Sequence, residues 1–324
     1  MARKDLGSLL PGVKYGNKVF PNEMAGIVGQ AQVGEILYVD ANSGSDTANG
    51  GRSWDDAFTT LTKAEDVASS NNYDVIVVAP NGTSGTSETA TLTWDKNHIS
   101  VVGASAPAII SQRSRVLWTT DATDPCLTIS GQGNSFSNVQ LATFQASNDI
   151  FVNITNNRNF FGNVHFAGIG HETAGNDTTA RCIDLVAAEE NYFSGCTIGM
   201  DTIARSVANA SIELRSASAR NIFEDCFIPV FADNSGALFV KIASSSDIDR
   251  FVMFKNSMFH NAANSTATTM TVGMDLGASI GGTVILYNTY FFGCTNGADD
   301  FTAVQLAGSI QATNSTGALT ITAA

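Results

Sequence analysis

Two carboxylates at matching positions of two short apolar segments are the residues best suited to catalysis. Asp184 lies within CIDLV and Glu213 within SIELR, each directly before a leucine. If these segments stack as neighbouring strands, the two backbones lie roughly 5 Å apart, and retaining glycosidases hold their carboxylates about 5–5.5 Å apart. Later segments place Lys241 and Asp275 at the same position. This mixture of charges favours a solvated charge ladder, so we predict no catalytic residue and keep Asp184 and Glu213 as the alternative.

No metal or cofactor site is predicted from the remaining acidic residues and histidines. The segment from Asp40 to Asp46 has oxygen-bearing side chains at alternate positions, as a calcium loop does, but it lacks the glutamate that completes an EF-hand. We interpret it as a turn capped by its own side chains, with calcium binding as the alternative. His165 falls in an outward column. None of the four histidines has a serine or cysteine at a spacing that would indicate a catalytic pair. We therefore interpret the histidines as incidental.

The cysteines indicate core positions rather than a disulfide framework. Their number is odd and their spacing is irregular: Cys126, Cys182, Cys196, Cys226 and Cys294. Such a set fits neither paired disulfides nor a zinc site, and we predict reduced thiols that fill the core. Cys196 and Cys226 are expected to lie on adjacent coils, where a disulfide is the alternative.

A repeat that recurs from residue 126 onward determines where all these residues lie. Each unit opens with a short apolar strand, and the last inward residues of these strands form one column: Ile129, Ile154, Leu185, Leu214, Ile242, Leu276 and Leu306. A second segment follows in each unit and aligns without gaps: SFSNVQL, FFGNVHF, YFSGCTI, IFEDCFI, MFKNSMF and ILYNTYF. The units mostly exceed the 20–29 residues of leucine-rich repeats and lack their leucine spacing, which argues against that fold.

The second segment predicts a bend between two strands of one coil. An inward column of bulky residues comes first: Phe136, Phe161, Phe193, Phe223, Phe254 and Leu286. Two places later stand residues that tolerate left-handed backbone: Asn138, Asn163, Gly195, Asp225, Asn256 and Asn288. Coils stacked at about 4.8 Å would place like residues above like. The pattern predicts a parallel β-helix of about eight coils.

Two outward columns of this β-helix are apolar. One contains Phe160, Tyr192, Ile222, Met253 and Ile285, and the other contains Phe227, Met258 and Tyr290. Soluble monomers rarely expose such a stripe. We predict that both columns form a subunit interface, and cover by loops is the alternative.

Composition and charge restrict the partners. The chain of 324 residues is 44% hydrophobic and carries a net charge of −13, which argues against binding to nucleic acid or to an anionic membrane. It has no apolar run near the ~18 residues of a membrane span, and its start lacks the apolar stretch of a signal peptide. Residues 1–36 are predicted to form an extended basic arm whose cations would bind an acidic partner: Arg3, Lys4, Lys14 and Lys18. A disordered tail is the alternative.

Residues 38–82 resemble the opening of pectate-lyase-like β-helix proteins, as found among tailed-bacteriophage virion proteins. The matching residues are Tyr38, Val39, Asp40, Gly44, Asp46, Gly50, Ser53, Trp54, Ala57, Phe58, Leu61 and Ala64, followed by Asp74 to Pro80. The resemblance implies a right-handed parallel β-helix over residues 37–324, with a cap region at 38–82 and coils at 97–315. A capping helix is also expected from the spacing of Phe58, Leu61, Ala64, Val67 and Ala68, with Ser53 or Asp55 at its start.

The resemblance also implies a class of function. Phage β-helix proteins of this kind are commonly trimers, so we expect a homotrimeric structural virion protein, made in the host cytoplasm and located in the virion. Within that class we favour a capsid decoration or cement protein whose arm binds the major capsid protein or another virion protein. A tailspike or head spike that binds or depolymerises a host surface polysaccharide is the alternative. The sequence neither supports nor excludes a third function, that of a passive glycan-binding module. Pectate lyases combine acidic calcium ligands with arginine or lysine, and here we expect carboxylates without a nearby arginine pair.

Overall fold

The computed structural model describes residues 34–313, apart from 83, 122–123, 148, 263–266, 278–279 and 309. The basic residues predicted to bind a partner, Arg3, Lys4, Lys14 and Lys18, lie outside the described residues. The first strand begins at Ile36, the last residue of the predicted arm. No helix in the described part of the chain has the length and apolarity needed to cross a bilayer.

Parallel strands form three long faces, here called sheets A, B and C. Sheet A contains β1 (Ile36–Val39), β2 (Val75–Val78), β4 (Ser100–Gly103), β7 (Ser135–Ser137), β10 (Phe160–Gly162), β13 (Tyr192–Ser194), β17 (Ile222–Glu224), β20 (Phe251–Lys255), β23 (Thr283–Tyr287) and β25 (Val304–Ala307). Sheet B contains β3 (Leu92–Trp94), β6 (Leu127–Ile129), β9 (Ile150–Ile154), β12 (Arg181–Val186), β16 (Ala210–Arg215), β19 (Leu238–Lys241) and β22 (Met270–Asp275). Sheet C contains β5 (Arg115–Trp118), β8 (Gln140–Thr143), β11 (His165–Ala167), β14 (Thr197–Ile198), β18 (Phe227–Ala232) and β21 (Met258–Asn261).

Three strands lie outside this regular arrangement. The long strand β24 (Tyr290–Ala298) pairs with both β21 and β22 and so joins sheets B and C. The short strand β15 (Ala204–Arg205) pairs with β18, and β26 (Ile310–Thr313) pairs with β24.

The chain passes from sheet A to C to B and back to A, so that each circuit makes one coil stacked on the last. This is the parallel β-helix that the repeat predicts. Sheet A has ten strands within the described residues, whereas the sequence led us to expect about eight coils. The difference arises before residue 126, where β1, β2 and β4 pair in register through Leu37, Ile76 and Val101. These strands are plain apolar runs without the phenylalanine and asparagine pattern that made later coils recognisable.

A continuous stack of aromatic rings fills the core beneath sheet A. Phe136, Phe161, Phe193, Phe223 and Phe254 are fully buried and lie on successive coils. Neighbouring ring centroids are 4.4–5.5 Å apart and the rings are within 15° of parallel. An aromatic pair of this kind adds about 0.5–1.5 kcal/mol beyond the area that it buries. The inward phenylalanine column predicted from the repeat is confirmed.

The corner between sheets A and C has left-handed backbone on six successive coils. The residues predicted to bend there have φ between +48° and +61°: Asn138, Asn163, Gly195, Asp225, Asn256 and Asn288. The amide Nδ2 of Asn163 donates to Oδ1 of Asn138, and Asn288 donates to Asn256 in the same way. Asparagines at this corner are therefore hydrogen-bonded to one another between neighbouring positions of the column.

A second asparagine ladder, which the sequence analysis missed, precedes the phenylalanine stack. Asn134, Asn159, Asn191 and Asn221 are almost wholly buried, each two residues before a stacked phenylalanine. The side-chain oxygen of each later asparagine accepts the backbone N–H of the one before it, at 2.9–3.0 Å. The ladder thus satisfies buried backbone donors between coils, as a closed core requires. Its sequence signal was the constant spacing from the phenylalanines.

The helix that caps the N-terminal end is shorter than the spacing suggested. The α-helix α1 (Leu61–Val67) lies between β1 and β2 and is capped at its start by Thr60, whose hydroxyl accepts the N–H of Lys63. Neither Ser53 nor Asp55 caps it, because both belong to a separate 3-10 turn that includes Trp54–Asp56. The buried carboxylate of Glu88 accepts the N–H groups of Leu61 and Thr62. That distant acid, which local periodicity cannot reveal, fixes the start of the helix.

Two details of the predicted core are wrong. Val67 is 38% exposed, so only part of the predicted helix face packs on the core. Leu306 was assigned to the column of Ile129 but pairs with Leu286 in sheet A and is 56% exposed. The reason is that β24 continues from sheet C into sheet B without a loop. The segment at 303–307 therefore belongs to the following strand of sheet A.

Candidate functional site

The predicted carboxylate pair lies on adjacent strands of sheet B. Asp184 and Glu213 are register partners, and Lys241 and Asp275 continue the same column, as predicted. The column is not a solvated ladder, however. Asp184 is fully buried and Glu213 is 8% exposed.

Arginines hold both carboxylates, which corrects the expectation that no arginine pair lies nearby. Arg181 Nε donates to Glu213 Oε2 at 2.6 Å, and Lys241 Nζ lies 3.5 Å from Glu213 Oε1. Arg215 contacts both oxygens of Asp184, with Nε at 3.0 Å from Oδ1. Each arginine reaches a carboxylate on the neighbouring strand out of register, by two positions for Arg215 with Asp184 and by three for Arg181 with Glu213. Such diagonal pairs are hard to recognise in a repeat whose units vary in length.

This ion-pair cluster is poorly suited to acid–base catalysis. Burial raises the pKa of Asp184, and the hydrogen bonds from Arg215 oppose that shift. A general base needs a lone pair that can reach a substrate proton, and all four carboxylate oxygens already face a cation. The arrangement is that of a buried structural network, in which removing one partner leaves an uncompensated charge.

A small pocket lies on the outer face of sheet C, where the sequence analysis placed only an incidental histidine. Arg115, Gln140, His165 and Thr197 project there from successive strands. They continue, toward the N-terminal end, the column that contains Phe227, Met258 and Tyr290. The sequence therefore contained a signal for this pocket, because the same column is polar toward the N-terminal end and apolar toward the C-terminal end.

Residues 104–114, here called the strap, form one wall of this pocket. The strap connects β4 to β5 but bonds to later coils. Gln112 Nε2 donates to the backbone oxygen of Asn163 at 2.8 Å, and Thr197 Oγ1 donates to the backbone oxygen of Ile109 at 2.6 Å. A contact across 88 positions has no counterpart in the repeat, and for this reason the pocket was not predicted.

His165 is the central polar residue of the pocket and makes three hydrogen bonds. Its Nε2 lies 3.0 Å from the backbone oxygen of Gly199, so this nitrogen carries the proton and donates. Nδ1 then accepts the N–H of Ser111 at 3.1 Å and the amide of Gln140 at 3.2 Å. Arg115 Nε donates to the other end of the Gln140 amide at 2.6 Å. The imidazole is thus fixed in its neutral form.

Acidification is expected to destabilise the protein through His165. Burial lowers the pKa of His165 from 6.5 to about 4, and the nearby charge of Arg115 adds to this shift. The unfolded chain therefore takes up a proton first as the pH falls. This contribution to stability is full above about pH 6.5 and declines toward pH 4, by up to about 3 kcal/mol. Denaturant unfolding at pH 7 and pH 4 measures the loss.

The variant His165→Gln isolates this effect. It removes the titrating ring, so its stability should fall less than that of the wild type between pH 7 and pH 4. His98→Gln, which replaces a half-buried histidine at the N-terminal end, should keep the wild-type pH dependence. Equal pH dependence of wild type and His165→Gln would contradict the assignment.

The two apolar columns lie on different faces of the β-helix. Phe160, Tyr192, Ile222, Met253 and Ile285 form one register column on the outside of sheet A, and each is partly exposed. Phe227, Met258 and Tyr290 form a column on sheet C, where Met258 is 42% exposed. The corner of left-handed residues runs between them.

The remaining candidates have structural roles in the described residues. Asp40 accepts hydrogen bonds from Asn42 and Ser43, and Asp46 accepts from the backbone of Thr59 and from Thr60, as in the predicted capped turns. No group of three metal-ligating side chains occurs among the described residues. All five cysteines are buried and free, as predicted. Burial raises the pKa of three of their thiols, those of Cys182, Cys226 and Cys294.

Comparison with solved structures identifies the fold. Similar structures include a rhamnogalacturonan lyase, at TM-score 0.55 and 14% identity over 80% of this chain and 68% of that one. A pectate lyase matches at TM-score 0.54 and 15% identity over 80% of this chain and 63% of that one. ORF18 of Geobacillus virus E2 matches at TM-score 0.54 and 13% identity over 89% of this chain and 54% of that one. The chain has a right-handed parallel β-helix fold similar to that of the pectate lyase.

The similarity between this β-helix and those proteins concerns the fold alone. The chain spans less than two thirds of the pectate lyase and about half of the phage protein. No protein-family model and no curated protein sequence matches it. Function must therefore be argued from the surfaces and sites of the chain itself.

Proposed function

We propose that this β-helix is a structural component of a bacteriophage particle and assembles as a homotrimer. Within that class we favour a capsid decoration or cement protein, anchored by the basic residues of its N-terminal arm. A phage protein among the similar folds supports the class. The observation that carries the proposal is the pair of apolar columns on two faces of one subunit.

The position of the columns fits a three-fold ring. A ring needs two different patches on each subunit, because one face of a subunit contacts another face of its neighbour. The column centred on Ile222 lies on sheet A, and the column centred on Met258 lies on sheet C. We infer that each subunit packs the first column against the second column of the next. The corner of left-handed residues would then face the three-fold axis.

The buried cluster on sheet B supports a structural role over an enzymatic one. Asp184 and Glu213 occupy the place of a possible acid–base pair, but arginines hold them. A spike that depolymerises a polysaccharide is the second candidate, favoured by the polysaccharide lyases among the similar folds. It would require these carboxylates to be released when substrate binds.

Native mass tests the assembly. Light scattering on the full chain and on the chain without residues 1–33 should give three times the mass of each chain, which is 34.0 kDa for the full chain. Ile222→Asp and Met258→Asp should each give monomers, because each places a charge in one of the two patches. Val67→Asp replaces an exposed apolar residue on the capping helix and should remain trimeric. Circular dichroism confirms that each variant is folded.

Mixing the two charged variants separates a ring from a symmetric dimer. In a ring, the intact sheet A column of Met258→Asp can pack against the intact sheet C column of Ile222→Asp, so that the mixture forms heterodimers. In a symmetric contact of sheet A with sheet A, Met258→Asp alone would still dimerise. A wild-type chain that is monomeric would refute the interface altogether.

Location on the particle has its own test. Mass spectrometry of purified phage particles should detect the chain in a multiple of three copies, and full-length protein should rebind to stripped particles. The chain without residues 1–33 should fail to rebind although it remains trimeric. Absence from the particles, together with release of reducing sugar ends that is lost in Asp184→Asn, would favour the enzyme.

A further inference from the structure

The pocket on sheet C has the size of a site for one small ring. Its volume is about 150 Å³. Pockets for drug-sized ligands begin at roughly 300 Å³, whereas a water occupies about 30 Å³. The pocket can therefore hold a single ring of a longer molecule but not several.

The charges around the pocket select a neutral ligand. Arg115 lines one side, and the exposed carboxylate of Asp201 lines another. Both act on His165, since Arg115 lowers the pKa of the imidazole and Asp201 raises it. An anionic ligand in the pocket would be repelled by Asp201, and a cationic ligand would be repelled by Arg115. A neutral ligand that both donates and accepts hydrogen bonds can use both groups.

The rim adds an apolar surface to these polar groups. Phe144 is 40% exposed and Ile110 is 47% exposed at the edge of the pocket, and Met200 also lines it. The hydroxyl-bearing residues Ser111 and Thr202 complete the wall. A sugar ring matches this division, because its C–H face is apolar and its edge carries hydroxyl groups. An aromatic ring beside the opening suits that C–H face.

The floor of the pocket is already ordered. His165, Gln140 and Arg115 are joined by hydrogen bonds to one another, and the strap is tied to the same site through Ser111. Side chains that are immobile before binding lose little conformational entropy when a ligand arrives. Even a small ligand can then bind with measurable affinity.

We propose that this pocket, lined by Arg115, His165, Phe144 and Asp201, binds one neutral sugar unit of a glycan. The site lies on the part of sheet C nearer the N-terminal end, apart from the ion-pair cluster of sheet B. It does not depend on the trimer, because every lining residue comes from one chain. The proposal goes beyond a structural role, since it gives the β-helix a glycan-binding surface without catalysis.

Saturation-transfer NMR on the full chain tests this proposal. The probes are methyl glucoside, methyl galactoside and N-acetylglucosamine, with acetate and protonated methylamine as small charged probes. We expect transfer to at least one sugar, with a dissociation constant on the order of millimolar, and none to the charged probes. Transfer to acetate or methylamine, with none to any sugar, would overturn the proposal.

Matched variants place the binding in this pocket. Thr202→Trp fills the opening from an exposed position and should abolish transfer, whereas Ser245→Trp, a similar small-to-large change on an exposed turn after sheet B, should not. Phe144→Ala should weaken sugar binding about fivefold through loss of the aromatic contact. Phe301→Ala removes an aromatic ring that is 50% exposed near the last coil and should leave binding unchanged. Unchanged sugar binding in Thr202→Trp would also overturn the proposal.

Discussion

Replacing Phe193 by alanine is expected to lower the free energy of unfolding by about 3–5 kcal/mol. The ring is fully buried, and its centroid lies 4.7 Å from that of Phe161 and 4.4 Å from that of Phe223. Its removal leaves a cavity that neither neighbour can fill, because each is already stacked on its other side by the next coil. Denaturant unfolding monitored by circular dichroism measures the loss.

The matched control for this variant is Phe301→Ala. Phe301 has the same side chain but is 50% exposed, so its replacement should change stability by much less. Phe193→Leu, which retains part of the volume, should fall between the two. A loss below about 1 kcal/mol for Phe193→Ala would mean that the coils close around the cavity, contrary to the rigid stack described above.

Replacing Glu213 by glutamine is expected to cost about 3–5 kcal/mol, because it leaves the guanidinium of Arg181 buried without a counter-charge. The side chain of Arg181 is only 4% exposed, and its Nε donates to the carboxylate that the substitution neutralises. The change preserves size and shape, so the loss measures charge rather than packing. Chemical denaturation at pH 7 gives the value.

Two further variants separate the buried pair from an ordinary surface pair. Glu224→Gln removes an ion pair with Lys255 on the surface and should not change stability measurably. The double variant Arg181→Met with Glu213→Leu removes both buried charges and should recover most of the lost stability. If Glu213→Gln were as stable as wild type but lacked a polysaccharide-cleaving activity, Glu213 would be catalytic rather than structural.

The sequence revealed those parts of the fold that repeat from coil to coil. The left-handed corner was predictable at every position from Asn138 to Asn288, because asparagine, aspartate and glycine each favour that backbone. The phenylalanine stack and the register of Asp184 with Glu213 followed from the same alignment. At these positions the local preference of the residue and the stacking of coils favour the same structure.

Features that the repeat does not contain could not be predicted. Glu88 fixes the start of the capping helix from 27 positions away, and the strap reaches Thr197 across 88 positions. Whether an outward residue is solvated depends on such segments. Asp184 was therefore placed on the correct face but wrongly predicted to be solvated, and the burial of the outward His165 was not predicted. The join of two sheets through β24 likewise changed the place of Leu306 without altering the local pattern.

The strap affects how the β-helix unfolds from its N-terminal end. A stack of coils that contact only their neighbours can fray from its end, one layer at a time. Here the strap leaves the coil of β4 and β5 but is bonded to Asn163 and Thr197, two and three coils further on. Opening the coil of Arg115 therefore requires contacts with those later coils to break as well. The four coils spanned by the strap should open as one cooperative unit, so that the N-terminal part of the β-helix resists stepwise unzipping.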